Sequence, residues 1–590
     1  MQVNEREEID EELKWNREEM FSSWEEWEKE LERVEEKVDE FGENEGKISE
    51  SLETLLETLK KRDEVSRSLD DLITFSRMAF HEDMRQAEVK NRLSKAESLR
   101  TDFQKTKSIL EPEILKWSRE EVIQYLEEKG LKDEYGHEID DIFRMEEHIL
   151  SKEIEESLSS MQEVFSASSD TYSVFMNADL DFPEVKKDGE KVEISLSNFT
   201  KLQKDSDREF RRKVYEKFYD TISSYENTIG STIQKEVKKN VRLAELRNYE
   251  SARKASLDSD NIPVSIYDRL NRKVNQNTDL LERFIELKRK ANEIEDFSYR
   301  DIYMPLTDEE SKIEYSEARK KVIKALDPLG DQYSSIVKEG FENRWVDIYE
   351  NKGKKAGAYS GGTYDSDPYI LMNYQENIDS VYTLAHEIGH SVHSYLNCEN
   401  QSYSHSKYSI FVAEMASTTN EVLLTESLLK NSDDRRFKLR VLGHFLENFR
   451  NTFYRQAMFS QLEQFIHEKV EEEGSVSHME ISERYGDLKS NLYPGIGMDD
   501  RIKNEWMRIP HFYYNFYVFQ YSTGLTAGID FAEQILDGEN KSYIEMLKKG
   551  GSEYPVEMVR EAGVDLDSDK PYDRALNVFE DYLERAEKLL

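Results

Sequence analysis

Apolar residues at Leu13, Met20, Trp24, Trp27, Leu31, Val34, Val38 and Phe41 recur at steps of three and four after an opening step of seven, with charged residues between them. This narrow stripe predicts an amphipathic helix with a heptad-like seam. Gly42 and Gly46 interrupt it, and Ile48, Leu52, Leu55 and Leu59 resume the spacing. A short, glycine-flanked gap predicts an antiparallel helical hairpin. A further helix around Leu69, Leu72, Ile73, Phe75, Met78 and Phe80 is expected to pack on it, with His81 as a helix-end or core histidine.

The helical pattern continues to about Ser168 and returns after Asn198 through Phe210, Val214, Phe218, Tyr225 and Ile233. Between them, Val185 to Ile194 alternates apolar and polar positions around Asp188-Gly189, which predicts a β-hairpin. That hairpin marks the expected junction between an N-terminal helical lobe, 1–195, and a catalytic region, 196–590. Farther on, Trp345 to Tyr349 and the glycine- and aromatic-rich Gly357-Ala358-Tyr359-Ser360-Gly361-Gly362-Thr363-Tyr364 are compatible with strands. Tyr369 to Tyr374 reads as a buried or half-buried strand. The expected fold class is mainly α and multi-lobed, with a small β-sheet beside one helix.

That helix follows directly. Asp379 or Ser380 is the expected N-cap, and Val381, Leu384, Ala385, Ile388 and Val392 make the helix apolar nearly all round, so it belongs inside the protein. It carries His386-Glu387-x-x-His390. Histidines four apart lie on one helix face and can bind one metal ion, while Glu387 beside them can take a proton from a metal-activated water. Zinc is the simplest partner for this set, one ion per chain.

A catalytic zinc needs a third protein ligand. A histidine six residues past His390 is absent (Leu396), as is a glutamate nineteen past it (Ser409). Phe411 to Glu421 supplies the stronger candidate: on a helix starting near Ser409, Glu414, Ser417 and Glu421 share a face. Glu414 is the expected ligand, and Glu421 is expected to orient a ligand histidine through its free ring nitrogen. Glu399 is the weaker rival ligand. The segment Gly357-Ala358-Tyr359, just upstream, is the expected strand edge for pairing substrate backbone.

Charge and cysteine content narrow the setting. Asp and Glu number 124 against 82 Lys and Arg, a formal charge of −42, which disfavours nucleic acid and anionic membranes as partners. An ordinary acidic protein and an adaptation to high salt both fit this balance. The single cysteine, Cys398, excludes an intramolecular disulfide and a cysteine-based zinc site. Met1 to Leu13 is acidic without an apolar signal core, so a cytoplasmic enzyme is expected.

Several separate motifs agree in order. Lys355 to Tyr359, Ile370 to Tyr374, Thr383 to His393, Phe411 to Glu421 and Arg508 to Gly524 closely resemble oligoendopeptidase F, in the thimet oligopeptidase superfamily of zinc metallopeptidases. The resemblance covers nearly the whole chain. It implies a helical enzyme with a deep substrate channel, zinc at the channel floor, and short unstructured oligopeptides as substrates. It makes Glu387 the general base and Glu414 the third ligand. It carries His511, Tyr514, Tyr517 and Tyr521 over as distal groups that contact substrate and stabilise the oxyanion. Phenol and imidazole donors are chemically suited to that task. Tyr513, Phe516 and Phe519 read instead as core. Two rivals stay open: a metallocarboxypeptidase, and a non-catalytic peptide-binding helical protein. Oligomeric state and cleavage preference are not readable from the chain.

Overall fold

The computed structural model describes residues 3–44, 46–308 and 311–590. Met1 and Gln2, which begin the acidic N-terminal stretch, lie outside them. The protein is mainly helical, and its only named strands among the described residues are two or three residues long. No helix among them is long and apolar enough to cross a membrane. The chain forms two compact units, each discontinuous in sequence. One comprises Met1–Met161, Ser311–Ser427 and Phe531–Gly563; the other comprises Gln162–Glu310, Leu428–Asp530 and Val564–Leu590. Compactness thus divides the chain at other places than a linear cut at 195, because later segments return to complete each core.

In the first unit the N-terminal seam forms the helix Trp24–Gly42, capped by Ser23, whose hydroxyl accepts from the Glu26 N–H. Leu13 and Met20 precede it, outside the helix. The helix that follows is longer than the spacing suggests: Leu52–Glu82 is continuous, so the apolar groups at 52–59 and 69–80 belong to one element. The two helices run antiparallel. Trp27 donates its indole N–H to the Leu72 carbonyl at 2.9 Å, and Lys37 reaches Glu64 at 2.5 Å. Trp27, Val34, Leu72 and Ile73 lie in one buried cluster, each large side chain contributing about 1.5–3 kcal/mol by leaving water.

A three-stranded sheet completes this unit's functional half. Val346–Asp347 pairs parallel with Tyr369–Leu371, which pairs antiparallel with Tyr359–Gly361. Tyr359–Gly361 is therefore an edge strand. The chain's beginning laces the sheet down: the Leu13 carbonyl accepts from the Ile348 N–H at 3.1 Å, and the Arg344 carbonyl accepts from Asn16 at 3.1 Å. Trp15 is buried with its ring edge-on to both Tyr359 and Tyr369. The buried carboxylate of Asp347 takes Arg6 and Lys354 as partners, and these cations hold it below the usual carboxylate range against the effect of burial.

In the second unit the expected hairpin pairs Val185–Lys187 with Glu190–Val192. Asp188 and Gly189 turn it with positive φ of 52° and 89°, the conformation a two-residue hairpin loop requires. The long helices surround a charged core in which Glu505, fully buried, contacts Lys489, Arg455 and Arg508. The helix Arg435–Phe449 passes through a π turn at Arg450–Tyr454 into the helix Arg455–Glu473. The Ser522 hydroxyl donates to the Thr452 and Phe453 carbonyls of that π turn.

Candidate active site

The helix bearing the two histidines spans Ile378–Asn400. Its cap is Asn377 rather than Asp379 or Ser380: the Asn377 side chain accepts from the Ser380 N–H at 2.9 Å. Ser380 in turn accepts from the Gln375 N–H at 3.1 Å, which fixes the entry of the chain. Glu399, the rival ligand, is exposed in the last turn of this helix.

The glutamate-bearing helix, Ile410–Lys430, lies directly against it. Gly389 sets how close they come. A Cβ added there would stand 2.6 Å from the Ser417 Cα and 2.8 Å from the Ala416 carbonyl oxygen. Only a glycine admits that approach, and the small Ala416 and Ser417 meet it from the other side. Two polar clamps lock the pair: Asn420 donates to the Ala385 carbonyl at 3.1 Å, and the Tyr382 and Thr425 hydroxyls are 2.8 Å apart.

This packing brings His386, His390 and Glu414 together, with their ligating atoms all within 4.8 Å of one another, the only such group of three or more among the described residues. The two Nε2 atoms are 3.2 Å apart. Two nitrogens at ordinary zinc–nitrogen distances on a tetrahedron stand about 3.3 Å apart. A Glu414 oxygen is 3.8 Å from the His386 Nε2. Donor chemistry and spacing both fit a tetrahedral ion with one position left for a reactant.

Glu421 meets the His386 Nδ1 at 2.6 Å, so the opposite nitrogen is the one free to ligate. Burial alone would lower the His386 imidazole, but the hydrogen bond and charge of Glu421, with Glu387 and Glu414, push it up to about 9. Burial, aided by the charge of His386, drives His390 well down. Burial raises Glu414. A divalent cation among these groups is the largest local charge and favours the deprotonated, ligating form of each.

Glu387 is buried, and burial pushes its carboxyl up to about 7. The backbone N–H of Ser360 on the edge strand works against that rise. The sheet register explains why that N–H is available. The Ile370 N–H bonds the Trp345 carbonyl, so Ile370 faces the strand on its other side. Its partner Ser360 therefore turns its own backbone groups outward, whereas Tyr359 and Gly361 pair inward with Leu371 and Tyr369. By the same alternation Ala358 faces out. The Ser360 hydroxyl also meets that of the buried Ser391 at 2.8 Å, tying the strand to the histidine helix. Tyr359 is engaged inside: its hydroxyl meets the His81 Nδ1 at 2.8 Å. Gly357, with φ of +90°, precedes the strand, and its carbonyl accepts from Asn373 at 2.9 Å. His393 stacks on Tyr408 with ring centroids 3.7 Å apart and belongs to the packing beneath the site.

The second unit gathers the distal residues into one cluster. The His511 ring lies 5.8 Å from Tyr514, 6.2 Å from Tyr517 and 5.8 Å from Tyr521, and Tyr517 lies 5.2 Å from Tyr521. Tyr514 is exposed; the other three are half-buried. Burial, with the charge of Arg455, holds His511 below its ordinary value. Tyr513, Phe516 and Phe519 are buried. The backbone here is not one continuous helix: a 3₁₀ turn, Pro510–Tyr513, is followed by Phe516 at φ 52°, and an α-helix begins at Phe519.

Comparison with known proteins agrees with this chemistry. Residues 201–578 match peptidase family M3, and residues 113–182 match the oligopeptidase F domain. The chain belongs to peptidase family M3. As an M3 peptidase it is a metallo-endopeptidase. It is 40% identical over 595 residues to oligopeptidase PepF of Bacillus subtilis (strain 168), spanning 100% of this chain and 89% of that protein. It is also 40% identical over 597 residues to the chromosomal oligoendopeptidase F of Lactococcus lactis subsp. cremoris, spanning 100% of this chain and 99% of that protein. The crystal structure of oligoendopeptidase-F from Enterococcus faecium superposes with a TM-score of 0.76 at 33% identity, over 96% of this chain and 99% of that one.

The M3 peptidase also uses residues that motif reading passes over. Gly389, Asn420 and Ser360 shape the site without ligating. Gly389 carried a signal, being the one residue without a side chain on an otherwise filled helix face. Ser360 carried none, because its part is played by a backbone N–H.

Proposed function

We propose that this M3 peptidase is a zinc-dependent endopeptidase that hydrolyses internal bonds of short, unstructured oligopeptides. The observation that carries the reading is the convergence of His386, His390 and Glu414 at ligand spacing, with the free carboxyl of Glu387 on the same helix. A zinc ion held by these three supplies Lewis acidity, acidifying a water and polarising a carbonyl. Glu387, poised near neutrality by burial, takes a proton at its carboxylate and hands it to the departing amine. The Ser360 N–H favours the charged form of that carboxylate. Glu421 fixes which nitrogen of His386 ligates. His511 and Tyr517, with Tyr514 and Tyr521, donate hydrogen bonds to the oxyanion that develops on the carbonyl oxygen and contact the substrate.

The outward backbone groups of Ala358 and Ser360, with Gly357 leading into them, offer an extended peptide a strand to pair with. All of these residues fall within 196–590, the region we assign to catalysis. The names of the relatives, oligopeptidase and oligoendopeptidase, support peptides as substrates. A single cysteine among 590 residues fits a reducing cytoplasm. The test is Glu387→Gln: it is expected to retain one zinc per chain by elemental analysis while losing nearly all turnover of a fluorogenic peptide. Ordinary turnover by that variant would overturn the assignment.

A further inference from the structure

We infer that Glu463 is a positioning residue for the distal tyrosines, acting through the backbone of Phe516. Phe516 adopts φ 52°, a left-handed conformation that a bulky side chain rarely takes. It lies between Tyr514 and Tyr517, so this one dihedral decides how the two phenols stand relative to each other and to His511. Their rings are 6.1 Å apart. A glycine would adopt this conformation freely but would give up the Phe516 ring, which is buried against His467, centroids 4.5 Å apart, and Tyr267, 5.9 Å apart.

What holds the backbone over is Glu463. Its carboxyl, buried in the helix Arg455–Glu473, accepts from the Phe516 N–H at 2.6 Å. Among the described residues no cation pairs with that carboxyl and its Oε2 has no hydrogen-bond partner, and burial pushes it up to about 8. A buried carboxyl group so poorly compensated is costly, and its one visible task is that contact. One residue earlier, the Asn515 carbonyl accepts from the Ser256 hydroxyl at 2.8 Å, so the turn is pinned on both sides. His467 frames it further, its Nδ1 on the Glu463 carbonyl at 2.9 Å.

This inference rests on the proposed oxyanion role of the tyrosines, and the experiment separates the two. Steady-state kcat and KM, zinc content and melting temperature are measured for Glu463→Ala and Glu463→Gln, each alone and in a Tyr514→Phe/Tyr517→Phe background. Glu463→Leu, which keeps the volume, stands in for the alanine if that variant does not fold. The tyrosine pair variant alone is expected to lose about 100-fold or more in kcat. Glu463→Ala is expected to lose about tenfold or more in kcat with KM within about twofold and zinc unchanged, since a small misplacement of a catalytic donor is enough for this. Glu463→Gln, which still offers an oxygen to Phe516, should recover most of that loss. In the tyrosine background Glu463→Ala should cost less than about twofold, the mark of acting through those residues. If the tyrosine pair matters but Glu463→Ala leaves kcat unchanged, or costs as much in both backgrounds, the positioning role is wrong. If the tyrosine pair variant keeps full kcat, the oxyanion reading fails, and this inference with it.

Discussion

Gly389→Ala puts a single methyl group where the site is built. The added Cβ would lie 2.6 Å from the Ser417 Cα, 2.8 Å from the Ala416 oxygen and 2.9 Å from the Ser417 nitrogen. All three are backbone atoms, so no side chain can swing aside. Relaxed carbon contacts fall near 3.5–4.0 Å, and the two helices must therefore separate by about 1 Å. Metal–ligand distances tolerate only about 0.2 Å. Glu414 rides on the helix that is displaced, and His386 and His390 ride on the other. Overpacking of this kind costs about 1–3 kcal/mol. Expressed wholly as weaker metal binding, that is about a 5- to 150-fold rise in zinc Kd. Expressed as strain, it lowers the melting temperature instead. Competition against a calibrated chelator reads the first, and calorimetry of the zinc-loaded protein reads the second. A variant that keeps zinc affinity within twofold and melts like the parent would refute the claim that this glycine sets the ligand geometry.

Glu421→Ala removes the partner of the His386 Nδ1 and should weaken zinc binding about 10- to 100-fold, read by the same chelator competition, with Glu421→Gln intermediate. Stability should fall with acid in a defined window. Burial would raise the Glu447 carboxyl, but Arg450 and Lys288 hold it down at about 2. A carboxyl depressed in the folded state stabilises above its unfolded pKa and loses that contribution as pH falls through the folded value. About 3 kcal/mol should therefore disappear between roughly pH 4.5 and 2. Urea titrations of Glu447→Gln against the parent across that range check it: the gap between the two should close as pH falls, and a constant gap would contradict it.

Much of the candidate site was legible because helical spacing is rigid. His386 and His390 had to share a face, and Glu414 with Glu421 had to share another, so the three side chains that converge could be singled out before any fold was known. The Asp188-Gly189 turn was legible for a similar reason: few residue pairs adopt its dihedrals. The rest depended on contacts between distant segments. Nothing local says that 52–59 and 69–80 form one helix, since the polar stretch between them is equally compatible with a break. Asn377 outcompeted Asp379 and Ser380 as cap because Ser380 was already taken by the Gln375 N–H. The core reading of Tyr513, Phe516 and Phe519 carried no hint of the left-handed backbone at Phe516, whose N–H partner lies 53 positions away. The two compact units were invisible because each is assembled from three separated stretches of chain.

The central claim is tested most directly by mass spectrometry of the products from an internally labelled peptide of about ten residues, roughly 33–36 Å long when extended. Both ends of the peptide are blocked, and the reaction is run with and without chelator, then with zinc restored. The account predicts cleavage at an internal bond that stops with chelator and returns with zinc. An uncut blocked peptide from protein shown to hold one zinc, or cleavage indifferent to chelator, would contradict it.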